Sequence, residues 1–498
     1  MYYHLNLYRD HLSDRKEITL GTRAVTLHPF YNNGEKLIFA ASDRPTIISS
    51  RRRKLTYLAV NLQYVDTFTT FDSKLYPASM IVVSGDTLLL GKIDPLRKLH
   101  ITKLPLDQEM GRRILYHDES KTIAVGTVKA QRNPDSGAET STGWVRVFDA
   151  WTFQGLYRYN LEDNEAVESM TCARIEGHDS LFVFVGTIIM QPEDDGKHCK
   201  GRLLMFKVSE NREYQLQEAV TFPGAVYSVM PYMRSVAAAV NGSIYYLVSF
   251  NADAPMGERL KVVSLIHSNV IALSMDTRGE FILVGDLMQS MSLLKMDDPS
   301  EPSIKMVAAD FEVTWMTAVK MVQDDIFVGA EMFHNLFTLK HVPAVEGEEM
   351  TKLQAEGEYH LGDSINRFQN GSLADDLHES NEERLVQNLF LYGTINGAIG
   401  VIASLTEKQY TMLSKIQSNV KDVLPVTGNM HHDEWRTFSN PSRTKKARNF
   451  IDGDLVERFL YLTPDEKQRV IRGDKRNNPL KYTLDEVQSI IEEFSSLR

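Results

Sequence analysis

Short apolar segments recur along most of the chain, and each one ends in a small residue that a polar residue follows. The segments are rich in Val, Ile, Leu and Phe and are bounded by Gly, Asp or Asn, which is typical of β-strands that end in turns. The seven copies, of which the fourth is degenerate, are TLLLGK (87–92), TIAVGT (122–127), LFVFVGT (181–187), SVAAAVNG (235–242), FILVGD (281–286), DIFVGA (325–330) and NLFLYGT (388–394). The pattern predicts a chain built mainly of strands.

The segments belong to repeats with a fixed internal order. A second apolar segment precedes most copies, as in AVYSVM (225–230), and a third follows after a turn, as in GRLLMFKV (201–208). Three or four strands in a period of about 45 residues are typical of propeller blades. We therefore predict an all-β, seven-bladed β-propeller over residues 71–403; the alternative is one or two β-sandwiches without a true repeat. The recurrent Gly is expected where a turn needs positive φ or where neighbouring blades leave no space for a side chain.

Strands are also predicted before the first repeat, in KLIFAASD (36–43), TIISS (46–50) and KLTYLAVNL (54–62). They are too few to close a propeller, and a lone sheet with free edges would be prone to association. Residues 1–70 are therefore predicted to be the end of a preceding domain.

The periodicity changes to that of helices in residues 404–498. Capping boxes are predicted at Thr406, Thr463 and Thr483, each with Gln or Glu three residues later, and Asp452 is expected to cap a further helix. We predict a C-terminal α-helical domain that buries Leu455 and Phe459. In the segment that joins the repeats to the helices, residues 431–460, Trp435 and Phe438 are the expected apolar anchors.

Charge and composition exclude several classes of protein. The formal net charge of −11 opposes general attraction to a phosphate backbone, and two Cys are too few for a disulfide framework. No secretory signal or membrane-spanning segment is expected, because the longest apolar stretches fall short of the roughly 18 residues needed. The cysteine usage favours a reducing compartment.

No motif indicates catalysis, a metal or a cofactor. The cluster HHDE (431–434) lacks the spacing that places two imidazoles on one helical face, so a solvated helix start is the favoured interpretation. Nucleophile elbows, P-loops and paired carboxylates of glycosidase type are not found. The basic runs 51–54 and 443–448 are interpreted as solvated turns, with nuclear-import signals or phosphate contacts as alternatives.

Several phrases resemble one known family. They are LSDRKEITLGT (12–22), SDRPTII (42–48), KGRLLMF (200–206), GEFILVGDLMQS (279–290), GTINGAIG (393–400), EWRTF (434–438) and FIDGDLVERFL (450–460). The chain resembles the damage-specific DNA-binding protein 1 family, related to the large subunits of splicing factor 3b and of the cleavage and polyadenylation specificity factor. Family members have three seven-bladed propellers and a helical C-terminal domain. The resemblance implies that residues 1–70 end the middle propeller and that the third propeller and the helical domain follow.

The resemblance also implies a function. In the family, the middle propeller binds the cullin-4 scaffold, and a cleft between the first and third propellers binds a helical motif of exchangeable WD-repeat substrate receptors. By motif, Val270, Leu273 and Trp315 would belong to the receptor-binding wall; the structural alternative is that they are ordinary core or channel positions. The chain departs from the family pattern at Ser274, Gln289 and Ala309, where Tyr, Arg and Arg are expected.

The expected function is that of a non-enzymatic protein-interaction scaffold in DNA repair and protein ubiquitination. It would reside in the nucleus, with the cytoplasm as a second location, and would associate with damaged DNA indirectly. A scaffold of RNA processing is the alternative, and a propeller hydrolase is the least favoured hypothesis.

Overall fold

A computed structural model describes most of the chain. The described residues are 2–6, 11–16, 20, 22–32, 35–51, 54–60, 64–74, 76, 79–91, 103–132, 139–190, 199–267, 269–298, 302–342, 350–371, 387–425, 428, 430–473 and 479–495. Contacts divide the chain into two compact units, Met1–Lys103 and Leu104–Arg498.

The first unit contains three antiparallel sheets. Strands β1 (Tyr2–Asn6) and β2 (His11–Lys16) form a pair; β3 (Thr26–Asn32), β4 (Glu35–Ala41), β5 (Thr46–Arg51) and β6 (Lys54–Ala59) form a second sheet; β7 (Thr67–Phe71), β8 (Ser79–Ser84) and β9 (Thr87–Gly91) form a third. The second and third sheets share a core in which the ring of Phe68 stacks on that of Phe39, with centroids 4.5 Å apart. Burial of Leu37 and Phe39, two positions apart on β4, follows the period of a strand.

The second unit begins with three four-stranded antiparallel sheets. They are formed by β10 (Met110–His117), β11 (Thr122–Arg132), β12 (Glu139–Asp149) and β13 (Gly155–Asp163); by β14 (Glu165–Arg174), β15 (Leu181–Ile189), β16 (Gly201–Val208) and β17 (Tyr214–Phe222); and by β18 (Val226–Tyr232), β19 (Ser235–Val240), β20 (Ser243–Phe250) and β21 (Leu260–His267).

Three further sheets follow in the same unit. They are formed by β22 (Ala272–Arg278), β23 (Phe281–Asp286), β24 (Ser290–Asp298), β25 (Ser303–Ala309) and the short parallel β29 (Thr351–Lys352); by β26 (Met316–Met321), β27 (Ile326–Glu331), β28 (Asn335–Lys340) and β30 (Gln354–His360); and by β31 (Ile365–Asn370), β32 (Gln387–Thr394) and β33 (Ile399–Ser404). The prediction of a mainly β chain is confirmed.

Consecutive sheets of the second unit pack through their first strands, since β10 contacts β14, β14 contacts β18, β18 contacts β22, β22 contacts β26 and β26 contacts β31. This succession is typical of propeller blades. The repeated Gly lies on the second strand at this contact. A Cβ added to Gly126, Gly186 or Gly285 would come within 2.5–2.6 Å of a Val side chain on the next sheet. The predicted close approach of neighbouring sheets is therefore confirmed at these three positions.

Four of the seven predicted repeats differ from this arrangement: at Gly329 the nearest side chains, such as Met316 and Met291, belong to its own and the preceding sheet, and Gly242 lies in the turn after β19. The copy ending at Gly91 forms β9, which belongs to the first unit, so the second unit contains six of the described sheets that have three or more strands. Around Gly91 and Gly393, no atom of the described residues lies within 4 Å of an added Cβ. The seventh blade and the domain boundaries at residues 70 and 403 stay predictions.

The described helices all follow the last large sheet. They are α1 (Glu407–Val423), α2 (His432–Trp435), α3 (Gly453–Glu457), a 3₁₀ turn (Arg458–Tyr461), α4 (Pro464–Arg472) and α5 (Leu484–Ser495); a hairpin of β34 (Phe438–Ser439) and β35 (Thr444–Lys445) lies between α2 and α3. None of these helices is long and apolar enough to span a membrane.

Side-chain caps begin these helices as the sequence predicts. Reciprocal capping boxes occur at Thr406 and Thr463, Thr483 makes the same exchange with Glu486, and Asp452 accepts a hydrogen bond from the Leu455 N–H. After Asp452, α3 continues directly into the 3₁₀ turn Arg458–Tyr461. The helices share a core made of Leu413, Ile416, Val420, Val456, Phe459, Val470, Val487 and Ile491.

Replacing Phe68 by Ala tests to which unit β7–β9 belongs. The substitution removes a buried ring that packs on Phe30 and Phe39, and we expect a loss of about 3–5 kcal/mol. Hydrogen–deuterium exchange of the full chain should accelerate in β3–β9 and remain unchanged in β14–β21. Phe184→Ala, in the core of the second unit, is the control with the opposite pattern. Faster exchange in β10–β13 and β31–β33 of the Phe68 variant would instead support the predicted seventh blade.

Candidate partner-binding surface

The three residues expected in a receptor-binding wall lie where the chain enters two neighbouring sheets. Val270 precedes β22, Leu273 lies on β22, and Trp315 precedes β26. Val270 is 45% exposed and Trp315 38% exposed, whereas Leu273 is half-buried. Because strands in each sheet are antiparallel, the connection into the first strand and the connection from the second to the third strand lie at the same end. Four loops therefore meet at this end of the two sheets.

These loops carry six exposed apolar side chains, which we call the apolar loop surface. They are Val270, Met288, Phe311, Val313, Trp315 and Met332. Phe311 and Val313 are each 61% exposed, and the ring of Trp315 lies 6.2 Å from that of Phe333. Exposed apolar groups concentrated in one place indicate an interaction site. The sequence analysis did not predict four of the six: Met288, Phe311, Val313 and Met332. A signal for Phe311 and Val313 was present in the alternation of apolar and polar residues at 311–315, between two strands.

A buried carboxylate holds two of the loops together. One oxygen of Asp286, Oδ2, accepts hydrogen bonds from the N–H groups of Val270 (2.7 Å) and Ile271 (3.1 Å), and Oδ1 accepts from Met288 (2.7 Å) and Gln289 (2.9 Å). Hydrogen bonds to a charged group contribute more than neutral ones, about 1.5–3 kcal/mol each. Asp286 therefore fixes the backbone beneath Val270 and Met288.

Two more buried carboxylates lie beneath the other loops. The Ser290 hydroxyl donates to Asp310 (2.7 Å), whose other oxygen accepts from the Glu312 N–H (3.3 Å). Glu331 accepts hydrogen bonds from the side chains of Asn335 and Asn440. Burial raises the pKa of both Asp310 and Glu331 above the usual range, and their hydrogen bonds offset part of this shift. All three carboxylates accept hydrogen bonds from groups in or beside these loops.

The positions that depart from the family pattern do not add charge to the surface. Ser274 is buried and accepts a hydrogen bond from the Val319 N–H at 3.3 Å, and Ala309 is buried on β25. Gln289 is exposed beside Met288. The two expected Arg side chains are absent, so the surface is more apolar than the family pattern implies.

The apolar residues of the joining segment divide between two cores. Phe438 is fully buried among sheet residues, with its ring edge-on to Phe337 at 6.3 Å. Trp435 is 42% exposed and covers Gly362, where an added Cβ would lie 2.6 Å from the indole. Phe459 is fully buried in the helical core, and Leu455 packs against that core half-buried. Trp435 and Phe438 therefore pack on the sheets, whereas Leu455 and Phe459 pack among the helices.

Asp452 connects the two cores. Its carboxylate accepts hydrogen bonds from His432 Nε2 (2.8 Å) and Arg436 Nε (2.8 Å), and Arg436 also donates to the carbonyls of His360 and Leu361 at the end of β30. Burial alone would raise the pKa of Asp452, but the hydrogen bond from His432 and the charge of Arg436 outweigh it and lower the pKa below its usual range.

Other groups proposed for chemistry are also engaged in structural contacts. Within the basic run 443–448, Arg443 pairs with Glu312, while Lys445 and Arg448 pair with the buried Glu358. Arg52 and Arg53 of the other run lie outside the described residues. The described part of the chain contains no group of three or more His, Cys, Asp or Glu that could hold a metal ion.

Comparison with protein families agrees with the resemblance. A family model described as the CPSF A subunit region matches residues 142–461, more than half of the chain. The chain belongs to this family. A second model, described as the RSE1/DDB1/CPSF1 second beta-propeller, matches residues 1–93, a stretch that includes β7–β9.

Curated relatives identify the branch of the family. The chain is 37% identical over 494 residues to DNA damage-binding protein 1 of Oryza sativa subsp. japonica. The aligned residues make up 99% of this chain and 44% of the relative. DNA damage-binding protein 1a of Arabidopsis thaliana is 37% identical over 487 residues, or 98% of this chain and 43% of the relative. The protein of Solanum lycopersicum is 36% identical over 495 residues, with 99% and 44% covered. The predicted family is confirmed, and the chain spans less than half the length of these relatives.

Replacing Asp452 by Asn tests the connection between the two cores. The folded-state pKa of Asp452 is lowered, so its contribution to stability is fully present above the unfolded-state pKa of about 4 and is lost as the pH falls toward the folded-state pKa. We expect Asp452→Asn to reduce the free energy of unfolding by about 2–3 kcal/mol at pH 7.

Urea unfolding of both proteins between pH 7 and pH 3 measures the difference, which should narrow below about pH 4. Asp454→Asn is the matched control, because Asp454 is exposed in the first turn of the same helix and should contribute only about 0.3–1 kcal/mol. A difference that stays constant from pH 7 to pH 3 would contradict the prediction.

Proposed function

We propose that the chain is a protein-interaction scaffold whose apolar loop surface binds an amphipathic helix of a partner protein. The observation that carries the proposal is the row of Phe311, Val313 and Trp315, which project to solvent from one six-residue connection between sheets. Large aromatic side chains at the centre of an exposed apolar surface are the usual energetic anchors of protein interfaces. An amphipathic helix is the partner element that presents a matching apolar stripe.

The hydrogen bonds that hold the loops support binding without a large rearrangement. The buried carboxylates of Asp286 and Asp310 accept backbone hydrogen bonds from three of the four loops, and Glu331 accepts side-chain hydrogen bonds beside the fourth. Pre-organised loops lose less conformational freedom on binding, which leaves more of the contact energy for affinity.

We further propose that the partners are WD-repeat substrate receptors and that the setting is cullin-4-dependent ubiquitination in DNA repair, in the nucleus and with the cytoplasm as a second location. The curated relatives are named for binding damaged DNA. For this chain the proposed association with DNA is indirect, since its net charge is −11 and Arg443, Lys445 and Arg448 are paired with carboxylates. By themselves, residues 1–498 are expected to bind receptors without forming a stable cullin-4 complex.

A scaffold of RNA processing is the second candidate. The matching family model is described as the CPSF A subunit region, and this description supports the alternative. The two candidates predict different partners: WD-repeat receptors for the first, and splicing or polyadenylation subunits for the second. We do not propose a hydrolase, because the carboxylates beneath the apolar loop surface accept structural hydrogen bonds.

Affinity purification of the full chain from nuclear extract, with partners identified by mass spectrometry, tests the proposal. We expect WD-repeat receptors with the unaltered chain and a loss of about thirty-fold or more after Phe311→Ala or Trp315→Ala, because aromatic anchors contribute about 2 kcal/mol or more. Trp151→Ala is the matched control: Trp151 is 56% exposed in the turn between β12 and β13. Equal recovery with all variants would contradict the proposed surface, and splicing or polyadenylation subunits in place of receptors would support the second candidate.

A further inference from the structure

The connection at residues 310–315 is held both by its own sheets and by a part of the chain that is distant in sequence. Hydrogen bonds to neighbouring segments hold its two ends: the Asp310 N–H donates to the Met291 carbonyl (2.9 Å), and the Met332 N–H donates to the Trp315 carbonyl (3.0 Å). Between these ends, the Glu312 N–H donates to Asp310 Oδ1 (3.3 Å) and the Thr314 carbonyl accepts from the Ser290 N–H (3.1 Å), while the side chains of Phe311 and Val313 project to solvent.

The middle of the loop is also held from outside its own sheets, by the hairpin of β34 and β35. Arg443 forms an ion pair with Glu312, and the Ser442 hydroxyl donates to the Val313 carbonyl at 3.4 Å. These residues lie about 130 positions apart in the chain. The hairpin therefore contacts the loop at Glu312, which lies between Phe311 and Val313, and at the backbone of Val313 itself.

Arg443 is itself fixed by stacking. Its side chain is 10% exposed, and the guanidinium carbon lies 4.9 Å from the ring centre of Phe438 and 5.8 Å from that of Phe337. A planar guanidinium stacks on aromatic faces in a way that the ammonium of Lys does not reproduce. The position of the charge is therefore set by the core of the sheet.

The hairpin turn is also attached to the neighbouring loop. Asn440 Oδ1 accepts hydrogen bonds from the N–H groups of Ser442 (3.0 Å) and Arg443 (2.8 Å), while its Nδ2 donates to Glu331 (3.0 Å). Asn335 Nδ2 donates to the Ser439 carbonyl at 2.9 Å. The turn thus has little freedom relative to the strands that carry Met332 and Trp315.

We propose that Arg443 is a positioning residue for the apolar loop surface: through Glu312 it holds residues 310–315 in the conformation that presents Phe311, Val313 and Trp315 together. The proposal rests on the proposed function for its effect on binding, whereas its effect on the loop can be measured without a partner.

The loop is tested by fluorine NMR of the full chain labelled with 5-fluorotryptophan, which reports on all four Trp. The Trp315 signal is assigned with Trp315→Phe. In Arg443→Gln we expect this signal to shift and broaden while the signals of Trp144 and Trp151 stay in place. Arg443→Lys, which keeps the charge but loses the stacking geometry, should give a smaller change in the same direction.

Two further variants separate positioning from loss of stability. Glu312→Gln removes the same ion pair from the loop side, where the side chain is 38% exposed and the fold should be unaffected. Arg448→Gln removes an arginine of the same basic run that pairs with Glu358 instead. The proposal requires a changed Trp315 signal in Glu312→Gln and an unchanged one in Arg448→Gln; an unchanged signal in Glu312→Gln, or equal changes in both, would overturn it.

Binding is measured with a purified WD-repeat receptor as the probe. We expect Arg443→Gln and Glu312→Gln to weaken its Kd about ten-fold while the melting temperature of Glu312→Gln stays at that of the unaltered chain. Binding lost in Trp315→Ala but kept in both of these variants would overturn the positioning role and leave the proposed function intact. Binding unaffected even by Trp315→Ala would overturn the proposed function, and the NMR result would then decide the positioning role alone.

Discussion

The packing of each first strand against the second strand of the preceding sheet is the constraint on which the rest of the second unit depends. At Gly126, Gly186 and Gly285 the strands approach so closely that a methyl group would overlap a Val side chain of the next sheet. Such close packing fixes the sheets side by side with their strand ends aligned. The loops of neighbouring sheets consequently emerge at a common end, and side chains distant in sequence combine into one surface.

Buried carboxylates convert this common end into a defined surface. Burying a carboxylate is costly unless it is hydrogen-bonded, and Asp286 meets this requirement with four backbone N–H groups from two loops. The same requirement ties Asp310 to Ser290 and Glu331 to Asn335 and Asn440. Polar groups are thereby turned inward, and apolar groups occupy the exposed positions.

The sequence predicts what local chemistry determines and misses what tertiary contacts determine. Strands, capping boxes and the role of Asp452 as a helix cap follow from alternation and from side chains near in sequence. Phe311 and Val313 were missed because they belong to no periodic element, and their exposure depends on where two sheets end. Arg443 and Arg448 resembled a solvated basic run, because their partners Glu312 and Glu358 lie about 90 to 130 residues away. The repeat pattern placed β9 in the propeller, whereas the contacts of β7–β9 with β3–β6 place it in the first unit. Such contacts between sheets are not visible in the sequence.

The joining segment links the helical core to the apolar loop surface through a continuous set of contacts. Arg436 binds both Asp452, at the start of α3, and the carbonyls at the end of β30. The next residues enter the sheet core with Phe438 and then reach residues 310–315 through Arg443. The steps are ion pairs, hydrogen bonds and ring contacts, and they connect the start of α3 with Glu312. The connection between the helices and the sheets therefore includes the residues that shape the proposed binding surface.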